Sequence, residues 1–326
     1  DLSAVSELLD LPEPLHGRMN CALSISGDSS SPSIALQIDA SRMAYEKINL
    51  DKLTSLVSYK KGSLEVEEFV LNAFDGETRI GATLPIDLDL VNPPTMDQLA
   101  EKTAYISLDA KDLDLKSIPQ IIPELLTAAE GKVSDVHLKM TGRIRQPGVE
   151  GSLNLKDAYL QLKSLPVPIE DLNGKMLVQS VESQANDPEY KASLGIAWKM
   201  DKGMYDARGS VRIPWDYLNS MVIMQGTERK AGYTPPQPAK YPEFQFDMDV
   251  QNGQLGALVK GMTDPTLPVD GSFSGKVHAD GSIRNPRGDV VIDSLNLTVN
   301  DQKIENRDQI KVALADQVLE ISKLEL

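Results

Sequence analysis

The chain has 326 residues, 33 Lys+Arg against 48 Asp+Glu and a formal net charge of −15, so it lacks the basic surface that a nucleic-acid partner requires. With 41% hydrophobic and 25% charged residues it has enough apolar side chains to fold, and it contains no run of about 18 apolar residues that could cross a membrane as a helix. Its single cysteine, Cys21, excludes an internal disulfide, and His16, His137 and His278 have no metal-ligand spacing.

Leu2, Val5, Leu8 and Leu9 lie at helical spacing and predict a short opening helix. From there alternation dominates. Met19-Asn20-Cys21-Ala22-Leu23 reads as a strand, with Cys21 a buried, inert thiol because no His or basic cluster adjoins it. Ile34, Leu36 and Ile38 occupy every second position, as do Leu84, Ile86, Leu88 and Leu90. Asp109, Asp112 and Asp114 read as the polar parity of a strand, without the Gly and bidentate Glu of an ordinary calcium loop. Leu115, Ile118, Ile121, Ile122 and Leu125 then predict a helix that Pro119 and Pro123 keep short.

Alternation resumes at Leu153, Leu155, Leu160 and Leu162, with Asn154, Lys156, Gln161 and Lys163 on the other parity. Two further strands run through Leu194, Ile196, Trp198 and Met200 and through Tyr205, Ala207, Gly209, Val211 and Ile213. A short helix is predicted from Trp215 to Met224, and residues 226–242, with Pro235, Pro236, Pro238 and Pro242, read as a mobile loop. Phe244, Phe246, Met248 and Val250 alternate again; Leu255, Leu258, Val259 and Met262 suggest a weak helix. Leu295, Leu297 and Val299, then Leu319, Ile321, Leu324 and Leu326, close the chain. Turn signals stand at Lys61-Gly62-Ser63, Asp75-Gly76, Asn173-Gly174 and Asp280-Gly281. Successive side chains of a strand point to opposite faces, so each segment has one apolar and one polar face. The predicted class is mainly β: an elongated, repeat-built antiparallel sheet with a few short helices.

Three glycine pairs, Gly17/Gly27, Gly131/Gly142 and Gly271/Gly281, are each followed by a proline, Pro32, Pro147 or Pro286, and a new alternating strand. Leu84-Pro85 and Ile213-Pro214 mark matching ends of sheet. Such spacing divides the chain into residues 1–113, 114–253 (with the insertion 226–242) and an incomplete 254–326, stacked as one continuous elongated domain. A chain that ends inside a repeat is expected to be a piece of a longer protein.

The run Asp114-Leu115-Lys116-Ser117-Ile118-Pro119-Gln120-Ile121-Ile122-Pro123-Glu124-Leu125, then Gly131 and the stretch from Val136 through Gly142 and Pro147 to Leu155, resembles TamB-type proteins of the AsmA-like, bridge-like lipid-transfer superfamily. Its cadence returns at Gly271 to Ile292 and at Leu15 to Ile38. The resemblance implies a sheet curled lengthwise into an open hydrophobic groove, a β-taco, spanning the periplasm in a protein anchored in the inner membrane outside this segment. It also implies a conduit that shields phospholipid acyl chains, with an outer-membrane β-barrel assembly protein of the Omp85 type as a further partner. A plastid envelope is the alternative location. The expected groove lining is Ile34, Leu36, Ile38, Leu84, Ile86, Leu88, Leu153, Leu155, Leu160, Leu162, Leu194, Ile196, Val211, Ile213, Phe244, Phe246, Leu295 and Leu297. No cofactor, metal or catalytic residue is expected, since nucleophile-elbow, phosphate-loop and dinucleotide motifs are missing.

Alternation alone would equally fit the filled core of a barrel or sandwich. Only 5% of residues are aromatic, and aliphatic walls suit acyl chains without demanding one shape. A structural or chaperone scaffold for outer-membrane β-barrel assembly, working through exposed strand edges, is the second functional class.

Overall fold

Alternating segments become strands almost throughout. In a computed structural model, which describes residues 15–29, 31–45, 48–87, 95–181, 189–218, 240–256, 269–299, 302–315 and 318–322, the chain is 79% strand and 6% helix. Its seventeen strands belong to an antiparallel sheet that does not close on itself. In order they are β1 (His16–Asp28), β2 (Ser31–Tyr45), β3 (Ile48–Lys60), β4 (Ser63–Ala73), β5 (Gly76–Leu84), β6 (Thr103–Asp114), β7 (Leu126–Arg143), β8 (Gln146–Leu162) and β9 (Ile169–Val181). There follow β10 (Glu189–Met200), β11 (Gly203–Pro214), β12 (Glu243–Gln254), β13 (Val269–Ser282), β14 (Asn285–Val299), β15 (Gln302–Glu305), β16 (Ile310–Ala315) and β17 (Val318–Ser322). Helix α1 (Met96–Ala100) precedes β6; a 3-10 turn (Leu115–Ser117) and α2 (Ile118–Ile121) follow it.

The chain divides into two compact units, residues 1–123 with 129–155, and residues 124–128 with 156–326. In the first, β1 to β7 pair in sequence order. Their registers set Leu23, Leu36, Val57, Val66, Ala82, Ile106 and Met140 side by side in one row. In the second, β9 to β14 pair in order, and β14 continues to β16 and β17. The matching row is Met176, Leu194, Gly209, Phe246, Ala279, Gly288 and Leu314. Each row carries one parity across seven strands, so one face of each unit is apolar.

The repeat glycines share a backbone state. Gly17, Gly131 and Gly271 have φ of 136°, 102° and 139°; Gly27, Gly142 and Gly281 have 89°, 99° and 108°. Only glycine holds such values without strain. Gly27 stands opposite Pro32, and Gly281 opposite Pro286, beside tight hairpin loops. Six strands, β1–β6, lie before the 3-10 turn, and six, β7–β12, lie between it and the helical residues 255–256.

Several local expectations change. The predicted helix after Asp114 shrinks to the 3-10 turn and α2, because Pro119 serves only near a helix start and Pro123 supplies no N–H. α1 was not foreseen; Thr95 caps it with a reciprocal Gln98 box. Asn173-Gly174 lies inside β9 rather than in a turn, and Asp280-Gly281 lies within β13, next to its hairpin. At Asp75-Gly76 the loop residues are Phe74 and Asp75, both at positive φ, and Gly76 already opens β5. The opening helix at Leu2, most of the loop 226–242 and the segments Leu258–Met262 and 219–224 lie outside the described residues; residues 215–218 are helical.

Candidate functional site

Among the described residues, the apolar parity of each unit is mostly half-buried or exposed rather than buried. No large side chain is fully buried among the described residues. Packing concentrates in two small clusters. Ala40 and Met43 gather Met19, Ile38, Leu50, Leu53 and Leu71 in the first unit. Met200, Tyr205 and Val250 gather Leu165, Val167, Trp198, Met248 and Phe273 in the second, where the Trp198 and Tyr205 rings stack at 5.1 Å. Burial raises the Tyr205 phenol above its usual pKa. Away from these clusters the mid-strand residues Leu138, Met176 and Leu194 stay 42%, 37% and 43% exposed.

The residues expected to line a groove fall on this parity wherever register defines it. Ile34, Leu36 and Ile38 oppose Ile25, Leu23 and Cys21 on β1 and Tyr59, Val57 and Ser55 on β3. Leu84, the last residue of β5, opposes Leu64. Leu194 and Ile196 oppose Met176 and Gly174 on one side and Gly209 and Ala207 on the other. Val211 pairs with Phe244, and Gly209 with Phe246; Ile213 opposes Tyr190. Leu295 and Leu297 oppose Phe273 and Gly271. Leu153, Leu155, Leu160 and Leu162 are half-buried on β8. A left-handed Asp157 (φ 47°) sits where their numbering changes from odd to even.

Two assignments move. Ile86 lies beyond β5, since Pro85 cannot donate to a ladder, and its N–H turns back to Leu84 O at 2.9 Å. Leu88 lies outside the described residues. Cys21 is exposed, not buried: β1 has β2 on one side and no described strand on the other. The three aspartates have three roles rather than one. Asp109 accepts from His137, Asp112 occupies a left-handed backbone position (φ 55°), and Asp114 caps the 3-10 turn through Lys116 N. Among the described residues no three His, Cys, Asp or Glu side chains gather as a metal site would need.

Sequence reasoning overlooked Val57 and Tyr59 on β3, Val66 and Leu71 on β4 and Ile106 and Leu108 on β6, which occupy the same parity. Alternation was present in each. On β4 a register shift between Val66 and Val70 breaks it and hides the pattern from a period-two reading.

The opposite parity is charged. Register sets Arg208, Asp247, His278 and Asp289 in one row of the second unit, with Asp249 beside Lys276 and Asp280 beside Arg287. His278 Nδ1 lies 2.6 Å from Asp247, and Arg287 Nε donates to Asp280 at 3.1 Å. The hydrogen bond to Asp247 raises the His278 pKa above 6.5. These groups are exposed, so each pair contributes little to stability. No helix among the described residues is long and apolar enough to cross a membrane. Comparison of the chain with family models, curated proteins and solved structures finds no match in any of the three.

Proposed function

We propose that the apolar face binds phospholipid acyl chains, and that the chain is a conduit segment in the periplasm carrying lipid between inner and outer membranes. The observation that carries this reading is an aliphatic face left open in mid-strand, at Leu138 in one unit and at Met176 and Leu194 in the other. Apolar surface in water is unfavourable by about 25 cal/mol per Å², so an open face of this kind calls for an occupant. Leu, Ile, Val and Met present flexible hydrocarbon without polar groups, and an acyl chain meets them through dispersion contacts that require no single shape. Strands about 4.8 Å apart put each seven-strand row over roughly 30 Å, about the hydrocarbon thickness of a bilayer. The resemblance of the repeat to TamB-type sequences supports the envelope setting and an outer-membrane β-barrel assembly protein as the terminal partner.

The test places a carboxylate on either parity of β10. Leu194→Asp puts an unpaired charge among hydrocarbon, where desolvation costs several kcal/mol; Ser193→Asp, on the charged parity, does not. Both variants are first checked for folding by circular dichroism. Lipid extracted from the purified chain and measured by mass spectrometry should fall sharply in Leu194→Asp and remain in Ser193→Asp. Equal lipid in the two, or none in the unaltered chain, rejects the proposal.

A further inference from the structure

At one end of the second unit, β10 begins at Glu189, β11 ends at Pro214, β12 begins at Glu243 and β13 ends at Ser282. Aromatic rings gather there. Ring centroids of Tyr190 and Trp215 are 5.9 Å apart and those of Tyr217 and Tyr241 6.1 Å, and the Arg284 guanidinium lies 4.0 Å over Tyr241. Tyrosine and tryptophan carry an apolar body and a polar tip, so they suit a level where hydrocarbon gives way to water. On the charged parity beside these rings, register sets Lys191, Arg212, Glu243 and Ser282 in one row. Lys191 and Arg212 stand directly opposite each other, an arrangement of like charges that is destabilising. Other cations of this parity have carboxylates: Arg208 has Asp206, Lys276 has Asp249 and Arg287 has Asp280. Among the described residues neither Lys191 nor Arg212 forms an ion pair, although Glu243 stands opposite Arg212. Together with Ser210, Glu243, Asp280 and Arg287 they line an open hollow of about 440 Å³.

We infer that this hollow is a subsite for the phosphate group of a lipid, held by Lys191 and Arg212. The inference rests on the acyl-chain reading above and adds the place where the headgroup sits. Arg binds phosphate through two parallel N–H···O bonds and Lys binds it as a compact point charge. An anion between the two cations replaces their repulsion with two attractions. Glu243, next in the row, accepts from a hydroxyl or ammonium group beyond the phosphate. Tyr190 and Ile213, on the apolar parity, adjoin Lys191 and Arg212 in sequence and oppose each other. Both cations lie two residues from the ends of their strands. That is about 7 Å, close to the length of their own side chains, so one lipid can reach both parities around the strand ends.

Two probes separate the phosphate from the acyl chain. Oleoyl lysophosphatidylethanolamine and monoolein share an oleoyl chain and a glycerol, and only the first carries a phosphate. Binding of each to the full chain is measured by equilibrium dialysis below the concentration at which it aggregates. The lysophospholipid should bind about tenfold tighter, the worth of one charge-assisted hydrogen bond. Lys191→Gln combined with Arg212→Gln, checked for folding by circular dichroism, should abolish that preference and leave monoolein binding unchanged. Arg212→Gln alone, at an exposed position, should remove several-fold of it. Lys276→Gln, on the same parity but paired with Asp249 outside the hollow, should leave it intact. Equal affinities for the two lipids, or a preference that survives the double variant, would overturn this inference and leave the acyl-chain reading standing. Failure of both lipids to bind rejects the two together. Inorganic phosphate or glycerol phosphate binding as tightly as the lysophospholipid would also overturn it, by assigning the hollow to a soluble phosphate.

Discussion

Replacing Gly271 by Ala isolates what the repeat glycines do. At φ 139° a Cβ would lie 2.0 Å from Asn296 O and 2.9 Å from Leu297 Cα, both backbone atoms of the paired strand β14. Holding a non-glycine residue in this region costs on the order of 1–3 kcal/mol. Relieving the overlap also moves β13 away from β14 and weakens a ladder hydrogen bond, about 1 kcal/mol more. The expected loss is therefore about 3 kcal/mol. Gly195→Ala in β10 is the control, in the same unit: nothing lies within 4 Å of its Cβ position and its φ is not positive. There alanine should stabilise by about 0.4–1 kcal/mol, because it restricts the unfolded chain. Urea unfolding followed by tryptophan fluorescence, with Trp198 close to both strands' partners, reads the two midpoints. Shifts of opposite sign are expected. A Gly271→Ala midpoint equal to or above that of the unaltered chain would refute the claim that the repeated glycines are conformational requirements.

Two further outcomes follow from side-chain geometry. His278 should titrate above 6.5 in an NMR pH series, and Asp247→Asn should lower that value, because the Asp247 hydrogen bond favours the protonated ring. A raised folded pKa means that the pair's small contribution is complete below the unfolded pKa and fades as pH rises through the folded value; a His278 titration left unmoved by Asp247→Asn would contradict the role of that hydrogen bond. Asn306→Ala should lower stability by about 2–3 kcal/mol in chemical denaturation, since one side chain accepts from Leu295 N at 2.6 Å and donates to Asp293 O and Asp308 O. A change under about 0.5 kcal/mol would show that water replaces those bonds without loss.

Most of the sheet was legible because its faces differ. Leu194-x-Ile196-x-Trp198 and Phe244-x-Phe246-x-Met248 alternate without interruption, and both are single unbroken strands. Legibility failed where backbone geometry, which leaves little trace in composition, intervenes. Asn173-Gly174 has the composition of a turn, yet Gly174 is in mid-strand because a Cβ there would meet Ile196 Cγ2 at 2.6 Å. Cys21 was misjudged for another reason: period two identifies a strand and its faces but says nothing of whether a neighbour lies alongside. Alternation by itself also leaves open whether an apolar face is covered, since a core wall and an exposed wall share one pattern; the open groove was expected from the resemblance alone.

A face that must stay apolar over many strands faces a specific hazard: one residue of slip turns every hydrophobic side chain outward. Strands of twelve to eighteen residues, such as β12 and β7, multiply that hazard. Polar residues at left-handed positions accompany two of these slips. Asp171 (φ 49°) lies where β9 slips against β10, and Asn252 (φ 53°) where β12 slips against β13. Asp and Asn tolerate this backbone state better than other side chains and keep their polar ends accessible to water. After the slip at Asn252, Gly253 opposes Phe273, whose ring would lie 2.8 Å from a Cβ, so an apolar contact resumes on the original parity. Glycines at positive φ stand beside the β1–β2 and β13–β14 loops, and Asp171 and Asn252 mark places where a strand regains its register. The two devices together explain how a sequence with 25% charged residues keeps its charges on one parity and leaves the other to hydrocarbon.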